Sequence, residues 1–418
     1  MIPQRVPILQ GGPDAYLDFD FRFGQEAYWL NRQRYGDFSL VPGATSTGGA
    51  GFGAVQRNGV WQSVDANAPL IGDGGLGVWE ARTNSIRNPV GAGAVAGTPG
   101  TMPTNWSSGP PPGLTRSVVG LGVEAGLPYV DCRYSGTHSG GGLAEFAIDF
   151  DAMTQVAATQ GQTWSAPTFV ALRAGAWPSS ASVSVIERGA AGVFLSSTGA
   201  NLAGVGPMLT RVAPVRLLTN PTAAFVQASA RFNIGAGEVV DFTIRIAAPN
   251  LKLGPDINDP PILQESGLPA TRTAVAQSVE VALPAAGWIF AEALVPANML
   301  VTTRIIGSNG GTNGVVGPLS FRTNGAVETF NGLSGALING TTNAAGQMAK
   351  AAVTWDATGR ALTSKGAVPV SDANPLGSFT QLTFGRTGAG NNMLNSTISR
   401  VVMGVGRLSD AALQALTA

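Results

Sequence analysis

Two pairs of carboxylates raise the first chemical question. Asp18 and Asp20 lie in the string Leu17-Asp18-Phe19-Asp20-Phe21, and Asp149 and Asp151 flank Phe150. On a strand, residues two apart share a face, with Cα atoms roughly 6.6 Å apart. That is close to the separation of about 6.5–9.5 Å between the carboxyls of inverting glycosidases. Any strand that alternates apolar and polar residues gives the same spacing, and here the phenylalanines account for the inward face. Both pairs are therefore expected on solvated faces, and no catalytic residue is assigned.

The remaining chemistry-bearing residues are few. His138, the one histidine, sits in Tyr134-Ser135-Gly136-Thr137-His138-Ser139-Gly140-Gly141-Gly142 and reads as a loop residue without a catalytic role. No Gly-x-Ser-x-Gly elbow is present to position a serine nucleophile beside it. One histidine and one cysteine cannot build a Cys/His zinc site. Cys132, inside the strand-like residues 129–134, reads as a small buried hydrophobe. Asp256-Ile257-Asn258-Asp259 could offer oxygens to calcium, but it lacks an EF-hand loop and sits among turn-forming residues, so a turn is expected. Gly72-Asp73-Gly74-Gly75 lacks the strand, lysine and helix of a phosphate loop. No metal or cofactor is expected.

The eight tryptophans are more informative. Trp79, Trp164, Trp288 and Trp355 stand in alternating, strand-like contexts and are predicted to be core. Trp106 and Trp177 stand beside Pro, Gly and Ser, in MPTNWSSGPPP and AGAWPSS. An indole held on such a loop could stack on a sugar ring or anchor a neighbouring subunit. These two are the candidate carbohydrate- or subunit-contact residues, with the subunit role preferred.

Strand signals dominate the elements that would position these residues. Strict alternation over residues 17–21, 182–185 and 240–246 is the antiparallel-sheet pattern, with one face on a core. Asn-Gly occurs six times, five of them between Asn309 and Gly340. Asn-Gly supplies the positive φ angles of tight hairpin turns, so a run of hairpins is predicted there. Residues 409–416 carry the clearest helix signal, with Ser409 as the cap and Leu413 and Leu416 on one face. Two Gly/Pro-rich seams, residues 89–113 and 253–269, divide the chain. The expected organisation is an amino-terminal anchoring segment over 1–85, a β-sandwich over 86–265 and a second β-sandwich over 270–418. The fold class is all-β, with antiparallel jelly-roll sandwiches in tandem.

Composition narrows the partners. Charged residues make up 12% of the 418, against about 25% in an ordinary soluble domain. Glycine numbers 57 and proline 27, without a collagen-like period. Such a chain covers its surface with small polar groups or buries it against other subunits, so it reads as an assembly component. The net charge is +0 and no basic run occurs, which argues against nucleic acid. The amino terminus lacks the apolar core of a signal peptide. Residues 285–301 contain Glu292 and Pro296 and are too few to span a membrane. A soluble protein that is not secreted by the ordinary route is expected.

Three stretches carry a resemblance. Residues 36–89, GDFSLVPGATSTGGAGFGAVQRNGVWQSVDANAPLIGDGGLGVWEARTNSIRNP, resemble a module of phage structural proteins that closes on Glu-Ala-Arg-Thr-Asn, here Glu80 to Asn84. The glycine stretch over 48–53 departs from that module's more polar version. Thr115-Arg116, residues 126–131 and 161–164, and Val240-Asp241-Phe242-Thr243 are similar to carbohydrate-binding-module-like jelly rolls. Residues 349–356, with Ile398-Ser399-Arg400-Val401 and the segment to Leu416, resemble the last strands and helix of a concanavalin A-like (laminin-G-like) lectin sandwich. The resemblance implies a fibre or spike protein of a phage virion, assembled in the host cytoplasm. It further implies a homotrimer in contact with other virion proteins and possible attachment to host surface polysaccharide. A capsid decoration protein and a polysaccharide-degrading tailspike are the alternatives, and the leading expectation is a protein that is not an enzyme.

Overall fold

A computed structural model describes residues 15–47, 54–65, 67–255, 258–264, 267–297, 299, 301–310, 315–332, 337–387 and 393–418. It is an all-β protein of antiparallel sheets with one α-helix, Asp410–Thr417, among the described residues. No described helix is long and apolar enough to cross a membrane.

The strands form two β-sandwiches. One pairs a ten-stranded sheet with a seven-stranded sheet. The ten-stranded sheet runs Gln33–Tyr35, Ala27–Leu30, Ala15–Asp20, Ser396–Val405, Gly287–Leu294, Met348–Asp356, Gly359–Ser364 and Val370–Asp372, with Ile71–Gly72 and Gly75–Val78 attached. The seven-stranded sheet runs from Leu337–Thr342 through the Thr303–Gly310 and Phe379–Phe384 strands to Ala276–Glu280 and Ala44–Thr47. The other sandwich pairs a six-stranded sheet, centred on Phe225–Ile234, with a five-stranded sheet. The latter is ordered Leu114–Glu124, Leu127–Thr137, Val239–Ala247, Thr168–Gly175 and Thr210–Val212.

This pairing corrects the expected order of units. Residues 15–84 do not form a separate anchoring segment. Ala15–Asp20 lies between Ala27–Leu30 and Ser396–Val405, Ala44–Thr47 pairs with Ala276–Glu280, and Arg82–Asn84 pairs with Ala270–Arg272. Residues 15–84 and the last third of the chain thus build one sandwich, and the middle sandwich is inserted between Asn84 and Ala270 rather than standing in tandem. Apolar burial is the reason. Leu17, Phe19 and Phe21 are fully buried, and Phe19 and Phe21 pack with Tyr28, Phe38 and Phe384, with Phe21 and Phe384 ring centroids 5.5 Å apart. Each such ring pair adds about 0.5–1.5 kcal/mol beyond its area, and the face could not be covered within residues 15–84 alone.

Turn chemistry follows the sequence in part. Asn58 and Gly59, at φ 51° and 76°, close the Ala54–Arg57/Val60–Ser63 hairpin, and Gly325, at φ 77°, closes the next Asn-Gly turn. Asn339 and Gly340 instead lie inside the Leu337–Thr342 strand, so that pair is not a turn. Asn313 and Gly314 lie outside the described residues, as does the 48–53 glycine stretch.

At the two chain crossings, Asn84 is fully buried and saturated. Its Nδ2 donates to the carbonyls of Pro249 (3.3 Å) and Ile262 (3.2 Å), and its Oδ1 accepts from the backbone N–H of Ile86 (3.1 Å) and Leu251 (2.9 Å). The motif residue closing the 36–89 module thus clamps the strand entering the middle sandwich to the strand leaving it. Beside it, buried Asp259 sits between Lys252 Nζ at 2.9 Å and Arg272 Nη2 at 2.5 Å. A second contact joins the sandwiches where the Trp61 N–H donates to Ala125 O at 2.9 Å and the Trp61 ring meets Phe169 edge-on at 5.9 Å.

Candidate functional site

The two loop tryptophans both pack on the core of the middle sandwich. Trp106 is 6% exposed, packs on Phe150 at 5.2 Å, and donates its indole N–H to Asn88 O at 3.0 Å. Trp177 is half-buried, stacks on Phe232 at 6.5 Å and 16°, and donates to Val205 O at 3.0 Å. Trp106 lies in the core of the middle sandwich rather than on an open loop, and Trp177 packs on that core while remaining partly exposed. The small, turn-forming neighbours that suggested exposure let each ring fold back onto the aromatic core. Trp79, Trp164, Trp288 and Trp355 are buried, as predicted.

The carboxylate pairs are not on solvated faces either. Asp18 is 4% exposed and accepts a two-pronged bond from Arg400 at 3.0 and 2.7 Å. Asp20 is 6% exposed and is held by Arg22. Asp151 is buried against Arg87, whose Nε lies 3.1 and 3.2 Å from its two oxygens. Asp149 is half-buried; burial holds its carboxyl above the ordinary carboxylate range, against the pull of Arg188 and Arg231. Arg22 follows Asp20 in the next turn, Arg87, Arg188 and Arg231 come from other segments, and Arg400 comes from the opposite end of the chain.

His138 is buried, its Nδ1 3.3 Å from Pro112 O and its Nε2 3.2 Å from Gly142 O, which pins the loop after Leu127–Thr137. Cys132 is fully buried and its thiol is pushed up to about 12 by burial. Asp256 and Ile257 lie outside the described residues. Asp259 is already neutralised by Lys252 and Arg272, so it is not a free oxygen donor for calcium.

The densest polar constellation on an outer face belongs to the five-stranded sheet. In Leu127–Thr137 the inward residues Val130, Cys132 and Tyr134 are buried, which turns Tyr129, Asp131 and Arg133 outward. In Val239–Ala247 the inward Val240, Phe242, Ile244 and Ile246 turn Asp241, Thr243 and Arg245 outward. Arg245 makes a two-pronged bond to Asp131 at 2.8 and 2.7 Å, reaches Glu124, and lies flat on Tyr129 with its guanidinium carbon 3.3 Å from the ring centroid. The bond to Asp131 raises the Arg245 guanidinium above its ordinary value. Arg173 stands 3.8 Å from Glu124, and Arg133 pairs with Asp241 at 2.8 and 2.7 Å, which lowers the Asp241 carboxyl.

Two glycines on the edge strand make room for these side chains. A Cβ on Gly120 would lie 2.7 Å from Asp131 Oδ2, and one on Gly122 would lie 2.8 Å from the Tyr129 hydroxyl. Their absence lets the carboxylate and the phenol extend over the edge strand. Fork-shaped guanidinium–carboxylate pairs fix donors and acceptors in position, and strands hold them more rigidly than loops do. The result is a hydrogen-bonded cluster in which Asp131 and Arg245 are buried and the Tyr129 ring, partly exposed, carries Arg245 on one face. The alternation in Val240-Asp241-Phe242-Thr243-Ile244-Arg245-Ile246 already places Asp241 and Arg245 on one face, and is the sequence signal for it.

No protein-family model matches the chain, and no curated protein matches it. Among solved structures it is similar to the arabinose-bound MgGH51 α-L-arabinofuranosidase at 16% identity and a TM-score of 0.29, over 50% of this chain and 32% of that one. It is similar to Trypanosoma rangeli sialidase with the inhibitor DANA at 8% identity and TM-score 0.28, over 73% and 68%. The CBM22-1–CBM22-2 tandem domain of Paenibacillus barcinonensis Xyn10C matches at 9% and 0.23, over 75% and 99%. The chain thus spans about a third of the arabinofuranosidase. Two of these three are enzymes by name, which corrects the expectation that the chain is not an enzyme; that exclusion is withdrawn. At these TM-scores the likeness assigns no activity to this chain.

Proposed function

We propose that the chain is a fibre or spike protein of a bacteriophage or phage-like virion that contacts host surface polysaccharide through the Tyr129 face. The observation that carries the glycan reading is the constellation of Tyr129, Asp131, Arg245 and Glu124 on the outer side of the five-stranded sheet. The resemblance of residues 36–89 to a phage structural module supports the virion setting. Low charge supports a homo-oligomer, a trimer in this reading, in which shallow contacts gain strength by avidity. Tyr129→Ala, compared at a temperature where the variant is fully folded, should weaken binding of purified host polysaccharide at least about tenfold. Binding equal to the unaltered protein would overturn the glycan reading. Antibody labelling of intact particles at fibre tips supports the location, whereas label spread over the head makes this a decoration protein. A monomer by mass measurement at micromolar concentration overturns the oligomer.

Cleavage of the same glycan is a second reading, favoured by one observation: the Asp149 carboxyl, raised by burial beside Arg188 and Arg231. Reducing-sugar release that disappears in Asp149→Asn supports it, and no release from host polysaccharide removes it.

A further inference from the structure

We infer that the outer face of the ten-stranded sheet around Trp29 is a second saccharide-binding site, one that takes a pyranose bearing a carboxylate. It lies on the other sandwich from the Tyr129 face and does not rest on that reading. In Ala27–Leu30 the flanking Tyr28 and Leu30 are buried in the core, so Trp29 points outward from a strand fixed on both sides. Register places Trp29 between Arg34 on the edge strand and Asp18 on the next strand inward, and Asp20 is in register with Arg400. Farther along, the same face is covered by the Asp410–Thr417 helix, whose Leu413 packs with Trp288, Phe290 and Val402. The uncovered part is therefore a short platform at the sheet edge with a half-buried indole on it.

Charges of both signs lie across this platform, and Arg34 is the exposed cation in register with the indole. The platform's two aspartates lie inward, 4% and 6% exposed, each held by an arginine. Groups of both signs reach solvent at its rim, with Glu26 and Glu292 partly exposed beside the cations. The Arg22 side chain is 38% exposed, and Arg34 is exposed with no carboxylate partner among the described residues. Glu292 stands in register with Arg400 and Lys350 across the sheet, and Glu26 precedes the Trp29 strand. An indole face takes the C–H face of a sugar ring. A planar guanidinium beside it takes a carboxylate in two-pronged fashion. Buried ion pairs beneath hold the platform still. A neutral ring would use the indole alone, and an acidic ring uses both.

The test is binding of short oligogalacturonates to the full-length protein by calorimetry, with the fully methyl-esterified oligomer as the neutral isostere. Trp29→Ala should weaken binding about tenfold or more, and Trp29→Phe should retain most of it. Arg34→Glu should cost at least about fivefold and remove the preference for the acid over its ester, as should salt near 0.5 M. Tyr129→Ala should leave this binding unchanged, so a failure here and a failure of the Tyr129 reading are told apart. Arg34 is exposed on an edge strand, which keeps the test valid should Trp29→Ala not fold. Wild-type binding in Arg34→Glu, equal affinity for acid and ester, or no binding at millimolar ligand would each overturn the inference.

Discussion

Replacing Asn84 by alanine tests whether the insertion is held by side-chain hydrogen bonding or only by packing. The amide is fully buried, and its loss removes four bonds at once, leaving two backbone N–H groups and two carbonyls facing a small void. An unsatisfied buried polar group costs about 1–3 kcal/mol. Water entering the void recovers part of that, so a net loss of about 3–5 kcal/mol is expected, at the top of the range for single substitutions. For units of this size about 1 kcal/mol corresponds to roughly 2–4 °C, which predicts a melting point lowered by at least about 6 °C. Three of the bonds, to Pro249, Leu251 and Ile262, tie the entering strand to the leaving one. The calorimetric transition should therefore also broaden or split, as the two sandwiches cease to unfold together. Asn84→Asp should be no better, because it loses both donors and adds a charge facing two carbonyls. A shift below about 1 kcal/mol with a single sharp transition would refute the argument and assign the junction to apolar contacts such as Trp61 on Phe169.

Three further outcomes follow from buried charge. Asp259→Asn should destabilise by about 3–5 kcal/mol because it strands Lys252 and Arg272 without their carboxylate, whereas Lys252→Met should be neutral or stabilising; urea midpoints of the two variants check this. Burial lowers Lys252 to about 8 from an ordinary 10.5, so between those pH values the unfolded chain binds the extra proton and stability should rise with pH, by an amount of about 3 kcal/mol at most. Read as the difference between the unaltered protein and Lys252→Met, the rise should vanish in the variant and be absent below pH 8. Cys132, whose thiol burial pushes up to about 12, should resist a thiol reagent at pH 8 in the folded protein and react fully in urea; fast labelling without denaturant would contradict its place in the core.

Local pattern was legible where the core decides it. The 17–21 alternation gives a strand with Leu17, Phe19 and Phe21 inward, Ser409 caps the last helix by accepting from Ala412 N at 3.3 Å, and four tryptophans are core. What was hidden depends on partners distant in sequence. Asp18 looks solvated until Arg400, 382 positions away, is placed beside it. Trp106 looks like a loop platform until Asn88 supplies its acceptor. Trp29 stands in Ala27-Tyr28-Trp29-Leu30, four apolar residues without polar alternation, so period alone does not say which aromatic faces out. The seams near residues 85 and 265 mark where the chain changes sandwich, but a seam does not reveal that the strands before the first and after the second pair with each other.

Insertion changes what the middle sandwich can do. A domain joined by one flexible linker samples many orientations and loses that freedom on binding. Here two strands cross side by side, and turning one sandwich against the other would strain the Asn84 bonds to Pro249, Leu251 and Ile262, disturb the Asp259 pairs and lift Trp61 from Ala125 and Phe169. With unsatisfied buried groups costing about 1–3 kcal/mol each, such motion is rare on the scale of thermal energy. The Tyr129 face and the Trp29 platform are therefore held at a fixed separation. For a polymer carrying repeated sugars, that fixed span sets which repeat spacings can engage both surfaces at once, since avidity is lost when geometry forbids simultaneous contact. A rigid junction turns two shallow surfaces into a ruler for chain length, and loosening it through Asn84 should weaken long saccharides far more than short ones.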